Sequence, residues 1–208
     1  MSDRETTGAF RILFVGTTNV SRSPIAELLA RQLLRTALGA VVSRFAVSSA
    51  GTEAAPGTPM DHRAVRVLAS RGLDDDARAF QSTRLSGRQI RGADLVLTAT
   101  RRQGAAVLAL EPGARGRTFC MLELVRLLPM IDALRLPRDP LIRARAAAES
   151  GRELRAAGAH RTPESDDIPD PARLSDYGYS VSVALVESAV YRFVKFLKPA
   201  SNPPEVPA

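Results

Sequence analysis

The residues best suited to chemistry in this chain are eight in a row, Gly16-Thr17-Thr18-Asn19-Val20-Ser21-Arg22-Ser23, set between an apolar run and Pro24. A tight loop between a strand end and a helix start turns several backbone N–H groups toward one point. The dipole of the following helix adds positive potential there. Arg22 can offer a phosphate two parallel donors, and the hydroxyls of Ser21 and Ser23 can donate as well. Gly16 and Asn19 tolerate the unusual backbone angles that such a loop demands. The whole composition suits a tetrahedral dianion. The alternative is an ordinary strand–helix turn with Arg22 in solvent. The loop is not a Walker loop, because the Gly-Lys-Ser/Thr ending is absent, and its glycine spacing is not that of a dinucleotide fingerprint.

The elements that must position this loop follow from periodicity. Phe10 to Val15 reads as a buried strand. Ser23-Pro24 opens a helix, with Ser23 as N-cap and Pro24 in the first turn, and Ile25, Leu28, Leu29, Leu33 and Leu34 form its apolar stripe. Arg44 to Ser49 is a second strand, Gly51 to Pro59 a loop, and Asp61 to Ser70 a helix with Ala64, Val65, Val67 and Leu68 inward, stopped at Gly72. Asp94 to Ala99 is a third strand, Arg102 to Leu110 a helix, Arg117 to Met121 a short fourth strand, and Leu122 to Leu128 an apolar helix. Tyr179 to Leu197 is the last long helix. Strands alternating with helices predict a parallel sheet covered on both faces, a three-layer α/β/α fold. Residues 137–166 are dense in Arg, Ala and Glu with weak apolar periodicity. They read as an insertion, partly helical and partly loose, with a lid over the loop as the sharper alternative.

Length and composition bound the function. With 208 residues, 45% hydrophobic and 25% charged, the chain makes one domain, here 10–198, between tails at 1–9 and 199–208 expected to be disordered. Met1 to Gly8 is polar and unlike a signal peptide, and no run approaches the ~20 apolar residues of a membrane span, so a cytoplasmic protein is expected. The net charge of +7 points to anionic partners. Yet Lys195 and Lys198 are the only lysines among 29 basic residues, and there is no Trp, so the arginines look compositional and a nucleic-acid partner is not expected. The single cysteine, Cys120, sits in an apolar run and reads as buried and structural. His62 and His160 have no ligand-type neighbours at metal spacing, and Asp74-Asp75-Asp76 reads as a solvated turn. No metal and no cofactor are expected.

The run Ile12 to Glu27, with Arg22-Ser23-Pro24-Ile25-Ala26-Glu27, resembles the signature of the low-molecular-weight protein tyrosine phosphatases: Cys, five residues, Arg, Ser-Pro, an apolar residue and Ala-Glu. Ser49-Ala50-Gly51-Thr52, Asp61-His62-Arg63-Ala64-Val65, Ala93 to Thr98 and the acid-loop-like Asp167-Ile168-Pro169-Asp170-Pro171 are similar to later stretches of that family in the same order. The resemblance implies a four-stranded parallel sheet of the phosphatase I type, with the loop at the carboxyl end of strand one. It also implies that Arg22 clamps a phosphoryl group and that Asp170 stands at the general-acid position. The family's nucleophilic Cys falls on Gly16, its second loop Cys on Ser21 and its loop Gly on Thr18. With no side chain at Gly16, phosphocysteine chemistry is unavailable. The reading is a protein that holds a phosphate, phosphomonoester or phosphotyrosine in Gly16–Ser23 without cleaving it. Hydrolysis through water or Ser21, and a scaffold or regulatory protein carrying a relic loop, are the alternatives.

Overall fold

A computed structural model describes residues 8–158 and 166–199. Most of both tails, His160 and the segment 159–165 lie outside the described residues, so the expectations placed on them stay there. Four strands form one sheet: β1 (Phe10–Gly16), β2 (Phe45–Gly51), β3 (Leu95–Thr98) and β4 (Thr118–Cys120), in the order β2-β1-β3-β4 and all parallel. The helices are α1 (Arg22–Leu38), α2 (His62–Ala69), α3 (Asp74–Ala79), α4 (Gly87–Gly92), α5 (Arg101–Leu110), α6 (Met121–Leu127), α7 (Pro140–Ala156) and α8 (Asp176–Leu197). No helix among the described residues is long and apolar enough to cross a membrane.

β1 is apolar on consecutive positions because both of its faces are covered. Phe10, Ile12 and Phe14 belong to one buried cluster, Leu13 and Val15 to the other. The first cluster carries α1, α6, α7 and α8, and the second is closed by Ile90 of α4 and Val107 of α5. The three-layer expectation therefore holds. Some boundaries shift. β2 runs on to Gly51, and Met121 opens α6 instead of closing β4.

The segment read as an insertion, partly helical and partly loose, holds a longer helix than its weak periodicity suggested. α7 is 17 residues long, capped by Asp139 and packed on α6 and α8, and Leu141, Ala144, Ala147 and Gly151 are buried. Its apolar periodicity is weak because small residues make the contact. A Cβ on Gly151 would lie 3.2 Å from the Phe119 ring, so glycine lets the helix approach β4 closely. Arg155 stacks over that ring at 4.1 Å and pairs with Glu123 at 2.7 Å. No described residue of 137–158 lines the cleft at the Gly16–Ser23 loop, so the helix is no lid.

Cys120 ends β4, buried as expected, within 3.7 Å of Thr98 Oγ1. Burial pushes its thiol up from 9.0 to about 12, so the fold favours the neutral form. Its contribution to stability is full below pH 9.0 and is lost as pH rises toward about 12. Iodoacetamide at pH 8 is expected to leave Cys120 unlabelled in the native protein and to label it in urea. Rapid native labelling would show a reactive thiol instead.

Candidate functional site

The Gly16–Ser23 loop leaves the carboxyl end of β1 and enters α1. Asn19 holds it open, taking φ 58°, the one left-handed non-glycine backbone among the described residues. Its buried amide donates to Ser23 Oγ (3.1 Å) and Ser49 Oγ (2.8 Å), and its carbonyl accepts from Thr83 N (2.8 Å). Ser49 in turn donates to Glu27 (2.5 Å), whose carboxyl is raised by burial and held down in part by Ser49 and Arg31. The neighbouring strand completes the mould. Thr52 N and Glu53 N donate to the carbonyls of Gly16 and Thr17, and a Cβ on Gly51 would lie 2.5 Å from Thr17 O and 2.8 Å from Asn19 N. Only glycine fits at position 51.

The loop's backbone N–H groups are turned to no such use. Those of Thr18 through Ser23 meet no protein acceptor among the described residues. Buried N–H groups are otherwise almost always paired. They ring a cleft of about 30 Å³ lined by the whole loop together with Asp61, Asp170, Pro171, Ala172 and Tyr179. That is room for about two water molecules.

Arg22 is buried, which overturns the reading of a solvated side chain on an ordinary turn. Nη1 donates to Ile168 O (2.8 Å), and Nη2 donates to Thr17 Oγ1 (3.3 Å) and Asp170 Oδ2 (2.6 Å). Burial lowers its guanidinium from the ordinary value, opposed by the charges of Asp170 and Asp167. Asp170 is 53% exposed at its side chain, and its other oxygen accepts from Ala172 N (3.1 Å), so it caps its own loop as well as facing Arg22. Gln103 Nε2 donates to Thr17 Oγ1 (2.9 Å), fixing the rim of the loop from α5.

The segment carrying Asp170 is tied down from several sides. Ile168 N donates to Ala99 O, Ser182 Oγ to Pro169 O, and Arg101 N to Asp167 Oδ1. Arg63 on α2 donates to the carbonyls of Pro171, Ala172 and Leu174 while lying 4.3 Å over the Tyr179 ring.

Three expectations for individual residues are corrected. The N-cap of α1 is Ser21, not Ser23, and its hydroxyl makes no capping bond. That hydroxyl lies 3.1 Å from Tyr179 OH, which donates onward to Asp61 at 3.4 Å. Burial pushes the Tyr179 phenol up to about 12, so it stays protonated at neutral pH and offers Ser21 no base. Gly16 is not in the left-handed region. What sets it apart is proximity: an added Cβ would lie 2.8 Å from Ser23 Oγ. Asp61, Arg63, Thr83, Gln103 and Tyr179 frame the site and were not singled out for it from the sequence. Asp61, read as a helix start, is the one with a local signal. His62 is exposed, and no group of three potential metal ligands occurs among the described residues.

The fold is a three-layer α/β protein with a strand–helix loop of unspent N–H groups, an arginine at its floor and an aspartate opposite. The chain belongs to the low molecular weight phosphotyrosine protein phosphatase family, whose model matches residues 11–127. It is 36% identical over 108 residues to the probable low molecular weight protein-tyrosine-phosphatase EpsP of Ralstonia solanacearum, covering 52% of this chain and 68% of that one. Among solved structures, the low molecular weight protein tyrosine phosphatase from T. tengcongensis aligns with a TM-score of 0.63 at 22% identity, over 90% of this chain and 99% of that one. Vibrio vulnificus Wzb in complex with benzylphosphonate aligns at 0.61 and 23% over the same shares, and both structures show the fold.

Proposed function

We propose that the Gly16–Ser23 loop binds a phosphomonoester dianion and does not transfer its phosphoryl group to the protein. The observation that carries this reading is the run of unspent backbone N–H groups over a buried guanidinium, with no side chain at Gly16 to attack. Oriented N–H groups, the N-terminus of a 17-residue helix and a buried arginine are the donors that a tetrahedral dianion takes. That one fold relative holds benzylphosphonate supports the ligand class.

The missing thiolate favours binding. Two unit charges ~4 Å apart at an effective dielectric near 20 repel by about 4 kcal/mol before solvent screening. A loop without a thiolate lacks that repulsion. In the form described, Asp170 takes the Arg22 donor that a phosphate would use and the cleft is small, so ligand binding displaces the carboxylate from Nη2. Because Asp170 is half exposed, water screens the pair and releasing it costs little.

Titration with inorganic phosphate by calorimetry tests this, with p-nitrophenyl phosphate turnover measured on the same sample. Saturable phosphate binding without turnover is the expected result. Asp170→Asn is expected to raise phosphate affinity about tenfold, or 1.4 kcal/mol, because a repelling charge is removed while the cap to Ala172 N survives. A folded protein that binds no phosphate would make the loop a relic. Turnover by the parent chain that Asp170→Asn abolishes would make it a hydrolase acting through water.

A further inference from the structure

A second cleft lies far from this loop, at the other end of α8, and nothing in the proposed function uses it. It measures about 690 Å³, within the range of small-ligand sites. Its walls are apolar, made chiefly by Val125, Leu128, Ile131, Leu134, Tyr191 and Phe196. Leu134 is 88% exposed and Tyr191 55%, so among the described residues large apolar surface is left uncovered here. At 1.5 Å per residue, Phe196 lies about 25 Å along the helix from Tyr179 at the phosphate loop.

The charges around the cleft are of one sign. Arg143, Arg192, Lys195 and Lys198 line it, and no acidic residue among the described ones does. Both lysines of the whole sequence are among these four. Arg143 is the telling one. It is 5% exposed, and its Nε and Nη1 donate to the carbonyls of Phe196 (2.9 Å) and Ala133 (3.0 Å). Its Nη2 has no acceptor, and it forms no ion pair with a carboxylate among the described residues. Burial alone lowers its guanidinium from the ordinary value, with no acid pulling it back. Its guanidinium lies 5.3 Å over the Phe196 ring, and Nη2, which is not sealed from solvent, is left open on the cleft side for an anion.

We propose that this cleft binds a single-chain amphiphile with a carboxylate head, its alkyl chain along the apolar walls and its head on Arg143. Chain and head are both required. A small hydrophilic anion would leave the apolar walls uncovered, and the cation set repels a positively charged amphiphile. A concave site with one unpartnered arginine N–H at its wall suits a compact monoanion better than a bilayer face or a long acidic peptide. Lys195 and Lys198, on flexible stems at the rim, steer the head and strengthen its hold.

The test is calorimetric titration of the full chain with dodecanoate below its micelle concentration, beside dodecyltrimethylammonium. Saturable one-to-one binding of dodecanoate alone is expected. The double variant Lys195→Glu/Lys198→Glu and the single variant Leu134→Asp should each weaken it at least tenfold. All three side chains are exposed, so thermal melts and phosphate titration at the distant loop should stay as in the parent chain. Arg143→Gln should abolish binding, and its melt reports whether the fold survives; the surface variants decide the matter if it does not. Equal binding of the cationic detergent, dodecanoate uptake that does not saturate, or dodecanoate affinity untouched by the charge-reversed rim would overturn the proposal. So would binding confined to anionic phosphatidylglycerol vesicles or to an acidic peptide with none to dodecanoate.

Discussion

A Gly16→Cys variant is expected to hydrolyse p-nitrophenyl phosphate on the order of 10³-fold or more faster than the parent chain, since removing a nucleophile from an intact site costs rates of that order or greater. Space permits the substitution. The Cβ would meet Ser23 Oγ at 2.8 Å and Ser23 Cβ at 3.3 Å, while the nearest backbone atom, Ser23 N, is 3.7 Å away. The closest obstacle is a hydroxyl that turns about one bond, and the Cβ contact needs a few tenths of an ångström. Gly16 already has a backbone conformation open to L-residues. A thiol there would sit at the N-terminus of α1 beside Arg22, and both lower a cysteine's pKa toward the thiolate. A P–S bond could then form as the ester O–P bond breaks, with the leaving oxygen protonated from Asp170. Adding Asp170→Asn to this variant should cost about 10²-fold or more with phenyl phosphate, whose leaving group needs the proton. A folded Gly16→Cys protein that binds phosphate yet is as inert as its parent would show that the loop and the acid are not in line.

Arg22→Met should weaken phosphate binding about 100-fold. Hydrogen bonds to a charged group contribute about 1.5–3 kcal/mol each, and two of them reach the ~3 kcal/mol that this factor represents. Methionine is chosen because it fills much of the same buried volume. The cost to stability is modest. Asp170, half exposed, stays hydrated when its partner leaves, but the carbonyl of Ile168 loses its donor. One unsatisfied buried acceptor costs about 1–3 kcal/mol, which lowers the melting temperature by several degrees in a chain of this size. Calorimetry and a thermal melt check the two parts separately. Unchanged phosphate affinity would place the anion on the backbone N–H groups alone.

The strands, the order of the helices and the strand–helix loop at Gly16–Ser23 were legible because they rest on local patterns: an apolar run, a stripe at helical spacing, Ser-Pro after a glycine-flanked strand. What holds the loop in shape was not legible. Asn19 reaches Ser49 and Thr83, Thr17 reaches Gln103, and Arg22 reaches Ile168 and Asp170, partners 30 to 148 positions away in the chain. Only the sheet brings them together. The extent of α7 was hidden for a different reason. Helix detection looks for large apolar residues at regular spacing, and this helix packs through alanines and a glycine with a buried arginine among them. The same arginine made the segment look polar and loose, although it marks the edge of the cleft at the far end of α8.

The contact between Gly51 and the loop has one more consequence. Thr17 and Asn19 rest directly on a strand that has no side chain at that point, and position 16 joins the bonds that keep the curve only through its backbone carbonyl, which accepts from Thr52 N. Shape and reactivity are thus written by different residues. A protein built this way can exchange its reactive group for a hydrogen atom and still fold, which leaves a receptor where a catalyst could stand, one codon away from either role.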